Sequence, residues 1–355
     1  MAKPSSHYKY QDLKDYLIRQ IQAGPQENGG QLESEPQLCR KFNLSRNTTR
    51  QAMRELENEG YIYRIHGKGT FIRSDTPAAL RKIALLIYDT AYTAHPVTGA
   101  LICGIGEVLE QNGYVLDILA SKRSFHDENL KRLAKSYAGF LIGSYQLDEL
   151  TLRELKKIAK PYFFVKNYLP GYEQNALRID FRHAGFLAAE YLIRTGCRNL
   201  ALIYSGEGVA ISRDFKNGVT EAALEHGARL RRENIFSVYY SDRADIPQIA
   251  ETILERSDRP DGIICASDEQ GAALLDELGK KGVSIPRDMA VIGCNNTVFS
   301  ELAQPPLTTI DIHIDELGRL AGAQIIDLIA GRKFSPRVLT PSCIIRASTG
   351  KEKPT

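Results

Sequence analysis

Seven short apolar runs punctuate the chain from residue 83 onward, and they constrain its fold more than any other feature. They are IALLIY (83–88), YVLDIL (114–119), GFLIG (139–143), YFFV (162–165), LALIY (200–204), GIICA (262–266) and AVIG (290–293). Helical patterns lie between them. Strands that are apolar on both faces must be covered on both faces, so the alternation predicts doubly wound parallel sheets in an α/β body. The stretch is too long for one such sheet and fits two lobes. No run approaches the roughly 18 apolar residues of a membrane span. The first twenty residues are polar and charged, unlike a secretory leader, so a cytoplasmic protein is expected. Six cysteines (Cys39, Cys103, Cys197, Cys265, Cys294 and Cys343) include no C-x-x-C pair. They predict reduced structural thiols, with no metal or other cofactor.

Ahead of this body the texture differs. Tyr10, Leu13, Leu17 and Ile21 recur at helical spacing and predict a first amphipathic helix. Ser34-Glu35-Pro36-Gln37 has the form of a capping box opening a second helix. Asn43-Leu44 make a tight turn, and Ser45 caps a third helix with Thr49, Ala52, Met53 and Leu56 facing inward. Two short strands, 61–65 and 70–72, then flank the turn His66-Gly67-Lys68-Gly69. Residues 1–74 carry 12 Lys/Arg against 8 Asp/Glu, while the remainder carries 34 against 35. A basic head on a neutral body suits nucleic-acid binding.

Two helices across a tight turn, followed by a hairpin, can set the later helix in the major groove of DNA. Arg46, Asn47, Thr48 and Arg50 crowd its first turn and a half. Arg can fork onto guanine edges, and Asn and Thr can bond bases or phosphates. Lys68 adds a cation at the tip of the hairpin. A helical domain with a solvated basic face is the bland alternative, and the turn and hairpin argue against it.

The pattern LxSExxLxxxFxLSRxTxRQAMxELExEGYIxxxxGKGTFI resembles the GntR family of bacterial repressors over nearly the whole head. The resemblance implies a winged helix-turn-helix in which Ser45, Arg46, Asn47, Thr48, Arg50, His66 and Gly67 contact DNA. Two positions depart from the family. Glu33 stands where a Pro is usual, and Pro36 stands where an Arg that touches DNA is common. The second removes one contact, so the operator is not expected to be the family's usual one.

The body resembles the LacI/GalR regulators and periplasmic sugar-binding proteins over about residues 83–346. IDFRHAGFLAAEYLIRTGCRNLALI (179–203), PDGIICASDEQGAALLDELGKKGVSIPRDMAVIGCNN (260–296) and PPLTTIDIHIDELGRLAGAQIIDLI (305–329) carry the likeness. A GntR head on such a body is the mixed architecture of arabinose-responsive repressors. The resemblance implies a winged head at 1–73, a linker at 74–82, an effector body at 83–346 and a tail at 347–355. Lobe one is expected at 83–164 and 296–312, and lobe two at 165–295 and 313–346. A small sugar would lie in the cleft at the carboxyl ends of the strands.

Candidate effector contacts follow. Asp268 stands where LacI-like proteins carry a ligand-binding Asp, and it could equally begin the next helix. Asn295 and Asn296 replace an Asp pair of the family. Tyr92 and His95 lie after the first strand, Tyr145 after the third and Asn167 after the fourth. Phe215 stands where the family has a ligand-binding Arg and could stack on a sugar, while Arg213 could substitute for that Arg. The aromatics leave a purine effector open as an alternative.

An enzyme is not expected. Gly104-Ile105-Gly106 lacks the third glycine of a dinucleotide turn and lies within a helical stretch. The seven histidines form no H-E-x-x-H. The expected partners are double-stranded operator DNA, a small effector and a second copy of the chain in a homodimer.

Overall fold

The computed structural model describes residues 12–14, 16–18, 20, 30–58, 61–65, 67–72, 81–87, 95–120, 136–143, 153, 155–157, 160–169, 171–206, 208–238 and 244–350. In the head, residues 12–14, 16–18 and 20 are helical. Helices α1 (Glu35–Phe42) and α2 (Arg46–Asn58) follow, then strands β1 (Ile62–Ile65) and β2 (Gly69–Ile72). The two strands pair antiparallel with Ile62 opposite Ile72 and Ile65 opposite Gly69. Gln37 Oε1 accepts from both the backbone N–H and the hydroxyl of Ser34, which closes the entry to α1 as its sequence predicts. Asn43 takes a left-handed conformation (φ 50°) and ends that helix. Leu13, Leu17, Leu38, Thr49, Ala52, Met53, Leu56 and Ile62 are all fully buried, so the helical faces assigned from spacing form one core.

The body has two six-stranded sheets. The first holds β3 (Lys82–Ile87), β4 (Val115–Ala120), β5 (Gly139–Ile142), β6 (Tyr162–Lys166), β7 (Ala176–Ile179) and β13 (Arg337–Leu339), in the order β13-β7-β6-β5-β3-β4, all parallel. The second holds β8 (Asn199–Tyr204), β9 (Arg229–Ser237), β10 (Gly262–Cys265), β11 (Ala290–Cys294), β12 (Thr308–Asp311) and β14 (Ser342–Ile344), in the order β14-β12-β11-β10-β8-β9. Only its edge strand β14 runs antiparallel. In each sheet the first strand lies between the second and the third. The order therefore reverses there, and each sheet has a crevice at its carboxyl edge beside that strand.

Helices cover the sheets: α3 (Pro96–Gln111), α4 (Phe181–Thr195), α5 (Ala210–Glu225), α6 (Ile246–Leu254), α7 (Asp268–Lys280), the short α8 (Val298–Leu302) and α9 (Ile314–Ile329). Two helix pairs approach unusually closely through glycine. A Cβ on Gly185 of α4 would strike the Phe215 carbonyl of α5, and one on Gly218 would strike the Arg182 carbonyl of α4. Gly104 of α3 and Gly318 of α9 do the same for lobe one. The glycine that hinted at a dinucleotide turn is thus a helix-crossing residue.

All seven predicted strands are present, but their partners correct the lobe boundaries. Residues 296–312 were expected in lobe one, yet β12 pairs with β11 in the second sheet. Residues 313–346 were expected in lobe two, yet α9 packs on α3 and β13 pairs with β7, leaving only β14 in the second sheet. Residues 165–179 hold the end of β6 and all of β7, which belong to the first sheet. The chain thus crosses between lobes three times, at 179–181, 311–314 and 339–342. The tail expected at 347–355 also begins too early. Ser348 is fully buried, its hydroxyl donates to Val291 O, and its carbonyl accepts from Val291 N–H. The cysteines form no disulfide among the described residues; Cys197, Cys265 and Cys294 are buried, while Cys103 is exposed on α3.

Candidate functional site

The head presents its predicted contacts on one helix start. Ser45 Oγ accepts from Thr48 N–H at 3.1 Å and lies 2.7 Å from Thr48 Oγ1, so it caps α2. Ser45, Arg46, Asn47 and Arg50 are exposed, Thr48 is half-buried, and the first turn of α2 holds no acid. The positive end of the helix and three arginines (46, 50 and 54) therefore share one solvent face. Gly67 (φ 72°) and Lys68 are exposed at the hairpin turn. His66 lies outside the described residues.

A contact that spacing did not reveal organises this face. Glu35 at the start of α1 accepts from Arg50 Nε (3.3 Å) and from Arg64 Nη1 of β1 (3.1 Å). Arg64 also pairs with Glu57 of α2 at 3.1 Å. One carboxylate thus ties the reading helix to the helix before it and to the wing.

In the body, the carboxyl ends of both sheets converge on buried polar side chains. His95 caps α3, its Nδ1 accepting from Val97 N–H at 3.2 Å. Its Nε2 lies 3.0 Å from Glu269 Oε1 in the first turn of α7, a contact that joins the lobes. Burial acts to raise the Glu269 carboxyl, but hydrogen bonding and charge from His95 bring it below the usual range. Lys166 ends β6 with a left-handed backbone (φ 66°), and burial lowers its ammonium to about 8. Asn167 is buried; its Nδ2 donates to Gly143 O after β5, and its Oδ1 has no hydrogen-bond partner among the described residues. A second link between lobes runs from Tyr168 OH to Asp214 Oδ2 of α5 at 2.5 Å, and burial with this bond pushes the phenol up to about 12.

Three of the expected effector contacts have other surroundings. Asp268 is completely buried and its oxygens are occupied. Oδ1 accepts from Thr309 Oγ1 (2.5 Å), and Oδ2 accepts from Thr297 N–H (2.6 Å) and Oγ1 (3.1 Å). The carboxylate expected to hold effector hydroxyls instead clamps the start of α7 to strand β12 and to the start of α8. Phe215 is 2% exposed and packs in the core at the crossing of α4 and α5, where it cannot stack on a ligand. Asn296 donates to Asp311 Oδ2 and accepts from Arg346 Nη2, so it is a structural tie. Arg213 is exposed on α5. Asn295 is buried at φ 105°, at the strand end where it was expected. Tyr92 and Tyr145 lie outside the described residues. Lys166 and Glu269 escaped the sequence reading. Each is adjacent to a residue that was singled out; Lys166 directly follows the predicted strand 162–165, and Glu269 lies three residues beyond the predicted strand 262–266.

Comparison with known proteins places this geometry. Residues 9–72 match the bacterial regulatory proteins of the gntR family, and residues 189–349 match a periplasmic binding protein-like domain. The chain is a transcriptional regulator that joins a gntR-family head to a periplasmic-binding-protein-like body. Two arabinose metabolism transcriptional repressors align over the full regulator. That of Geobacillus stearothermophilus is 26% identical over 96% of this chain and 97% of its own. That of Halalkalibacterium halodurans is 24% identical over 97% of each. Among solved structures, a complex of the regulator CelR with cellobiose superimposes with a TM-score of 0.67 at 23% identity, covering 86% of this chain and 91% of that one. A LacI-family regulator from Enterococcus faecium with bound ribose gives 0.66 at 24% identity over 76% and 98%. Both share the fold of the body. Among the described residues, no helix is long and apolar enough to cross a membrane.

Proposed function

We propose that this regulator is a cytoplasmic, non-enzymatic repressor that binds operator DNA as a homodimer and leaves it when a small sugar occupies the cleft between the lobes. The observation that carries the reading is the 3.0 Å contact of His95 Nε2 in one lobe with Glu269 Oε1 in the other, at the carboxyl ends of strands where Lys166, Asn167 and Asn295 are also buried. A ligand touching both sets favours one lobe arrangement over others, and the arrangement can be read out by the spacing of paired heads. Arg46, Asn47, Thr48, Arg50 and Lys68 are the residues assigned to base and phosphate contacts. The full-length relatives are named for arabinose metabolism, which makes arabinose the first sugar to try. The purine alternative is weakened, because Phe215 is committed to the core.

The test is a gel-shift assay with DNA from upstream of the protein's own gene, run with a panel of monosaccharides and with hypoxanthine and guanine. Specific retention that one sugar abolishes is the expected result. Release by a purine alone, or specific DNA binding that no sugar alters, would reject the sugar reading. A monomer in sedimentation with operator present would reject the dimer.

A further inference from the structure

We propose that Gln31 is a positioning residue of the DNA-binding head: its amide fixes the hairpin turn that carries Lys68 and so sets where that cation meets the DNA backbone. The inference rests on the reading of Lys68 as a phosphate contact and adds what holds it in place.

The turn has little of its own to hold it. The β1–β2 pairing ends at Ile65 opposite Gly69, and beyond it the Lys68 N–H donates to the Ile65 carbonyl at 3.0 Å. Gly67 (φ 72°) and Gly69 (φ 121°) flank Lys68 with left-handed backbone. Glycine reaches these conformations without strain, but it also loses the most freedom when it is ordered. The Gln31 amide supplies a restraint from outside the hairpin. Its Nε2 donates to the Lys68 carbonyl at 2.8 Å, so both backbone polar groups of Lys68 are engaged. A Cβ on Gly69 would lie 2.5 Å from that nitrogen, so the glycine leaves open the space that the amide fills.

Gln31 can act as a brace because its own backbone is held. Residues 30–32 run antiparallel to β2. Leu32 N–H donates to Thr70 O at 2.9 Å, Ile72 N–H donates to Gly30 O at 2.7 Å, and Gln31 stands opposite Phe71. Leu32 is buried in the core of the head. Shortly after it, Glu35 holds Arg50 of the reading helix and Arg64 of β1. One short segment therefore fixes the hairpin tip and the reading helix to each other, which keeps a phosphate contact in register with the base contacts. A cation already in place binds without paying to order its turn at the moment of contact.

The experiment is fluorescence anisotropy of the full-length protein with labelled DNA from upstream of its own gene, over a range of salt, for the wild type, Gln31→Met, Lys68→Ala and the double variant. Methionine keeps the length of the side chain and removes the donor. Gln31 is exposed, so the substitution opens no core, and circular dichroism checks the fold. Gln31→Ala serves as a second variant should Gln31→Met not fold. Gln31→Met should weaken binding about three- to tenfold, the worth of one neutral hydrogen bond. Lys68→Ala should weaken it and lower the salt slope by about 0.9. The double variant should match Lys68→Ala within about twofold, because an amide that positions a cation has nothing to position once the cation is gone. Equal losses from Gln31→Met with and without Lys68 would show a role in folding the head alone and overturn the proposal. Unchanged affinity in folded Gln31→Met overturns it as well and leaves Lys68 as a phosphate contact. Wild-type affinity and salt slope in Lys68→Ala reject both readings together.

Discussion

Asp268→Asn should change the pH dependence of stability in a direction that the clamp dictates. The carboxyl is fully buried, and burial pushes it up to about 7 despite the donors from Thr309 and Thr297. In an unfolded chain an aspartate titrates near 3.9. The folded state therefore holds the proton more tightly. A group raised on folding contributes its full stability below about pH 4, loses it progressively as pH climbs to about 7, and changes nothing further above that. About three pH units at roughly 1.36 kcal/mol each give about 4 kcal/mol. Asparagine fills nearly the same volume and does not titrate. The stability of the variant relative to the wild type should therefore move in the variant's favour by about 4 kcal/mol between about pH 4 and pH 8, whatever its starting value. Urea unfolding of both proteins across that range, followed by far-UV circular dichroism, measures the difference directly. A difference that stays constant, or that moves towards the wild type with rising pH, would refute the reasoning. It would mean that the threonine donors outweigh burial and keep the carboxylate charged.

Arg50→Ala should reduce specific operator affinity by about 1–3 kcal/mol and blunt base preference, as a competition assay with scrambled DNA would show. Lys68→Ala should weaken all DNA sequences alike and lower the slope of log affinity against log salt by about 0.9. Gly218→Ala forces a Cβ onto the Arg182 carbonyl and should destabilise by about 1–3 kcal/mol in thermal unfolding. Gly279 of α7 has open space around it, so Gly279→Ala should instead stabilise by roughly 0.4–1 kcal/mol.

The comparison of sequence with structure separates local from distant causes. The head was legible nearly in full, because its signals are local. A Ser34–Gln37 box, a Ser45 cap and apolar residues three and four apart act within one or two turns, and the predicted inward faces are the buried ones. The buried strands were legible for the same reason, since an apolar run bounded by breakers needs no partner to be recognised. Strands β7, β9, β12, β13 and β14 were missed. Three of them, β9 with Arg229, Arg231 and Arg232, β13 and β14, lie at sheet edges, which tolerate polar residues, while β7 and β12 are interior strands of only four residues.

Which strand pairs with which was decided only by tertiary structure. That choice moved β12 to the second lobe and α9 to the first, and with them the lobe boundaries. It also decided the chemistry of single residues. Asp268 looked like a ligand carboxylate until Thr309, 41 residues later, was brought onto it. Phe215 looked free to stack until Gly185 let α4 press against it. Glu269 drew no notice in the sequence, and only the meeting of the two lobes set His95 of the first opposite it. Periodicity and capping are properties of neighbouring residues, so the sequence alone determined the helices and hairpin of the head and seven strands of the body. Burial and hydrogen-bond satisfaction depend on residues far apart in the chain, so the cleft took its meaning from the fold.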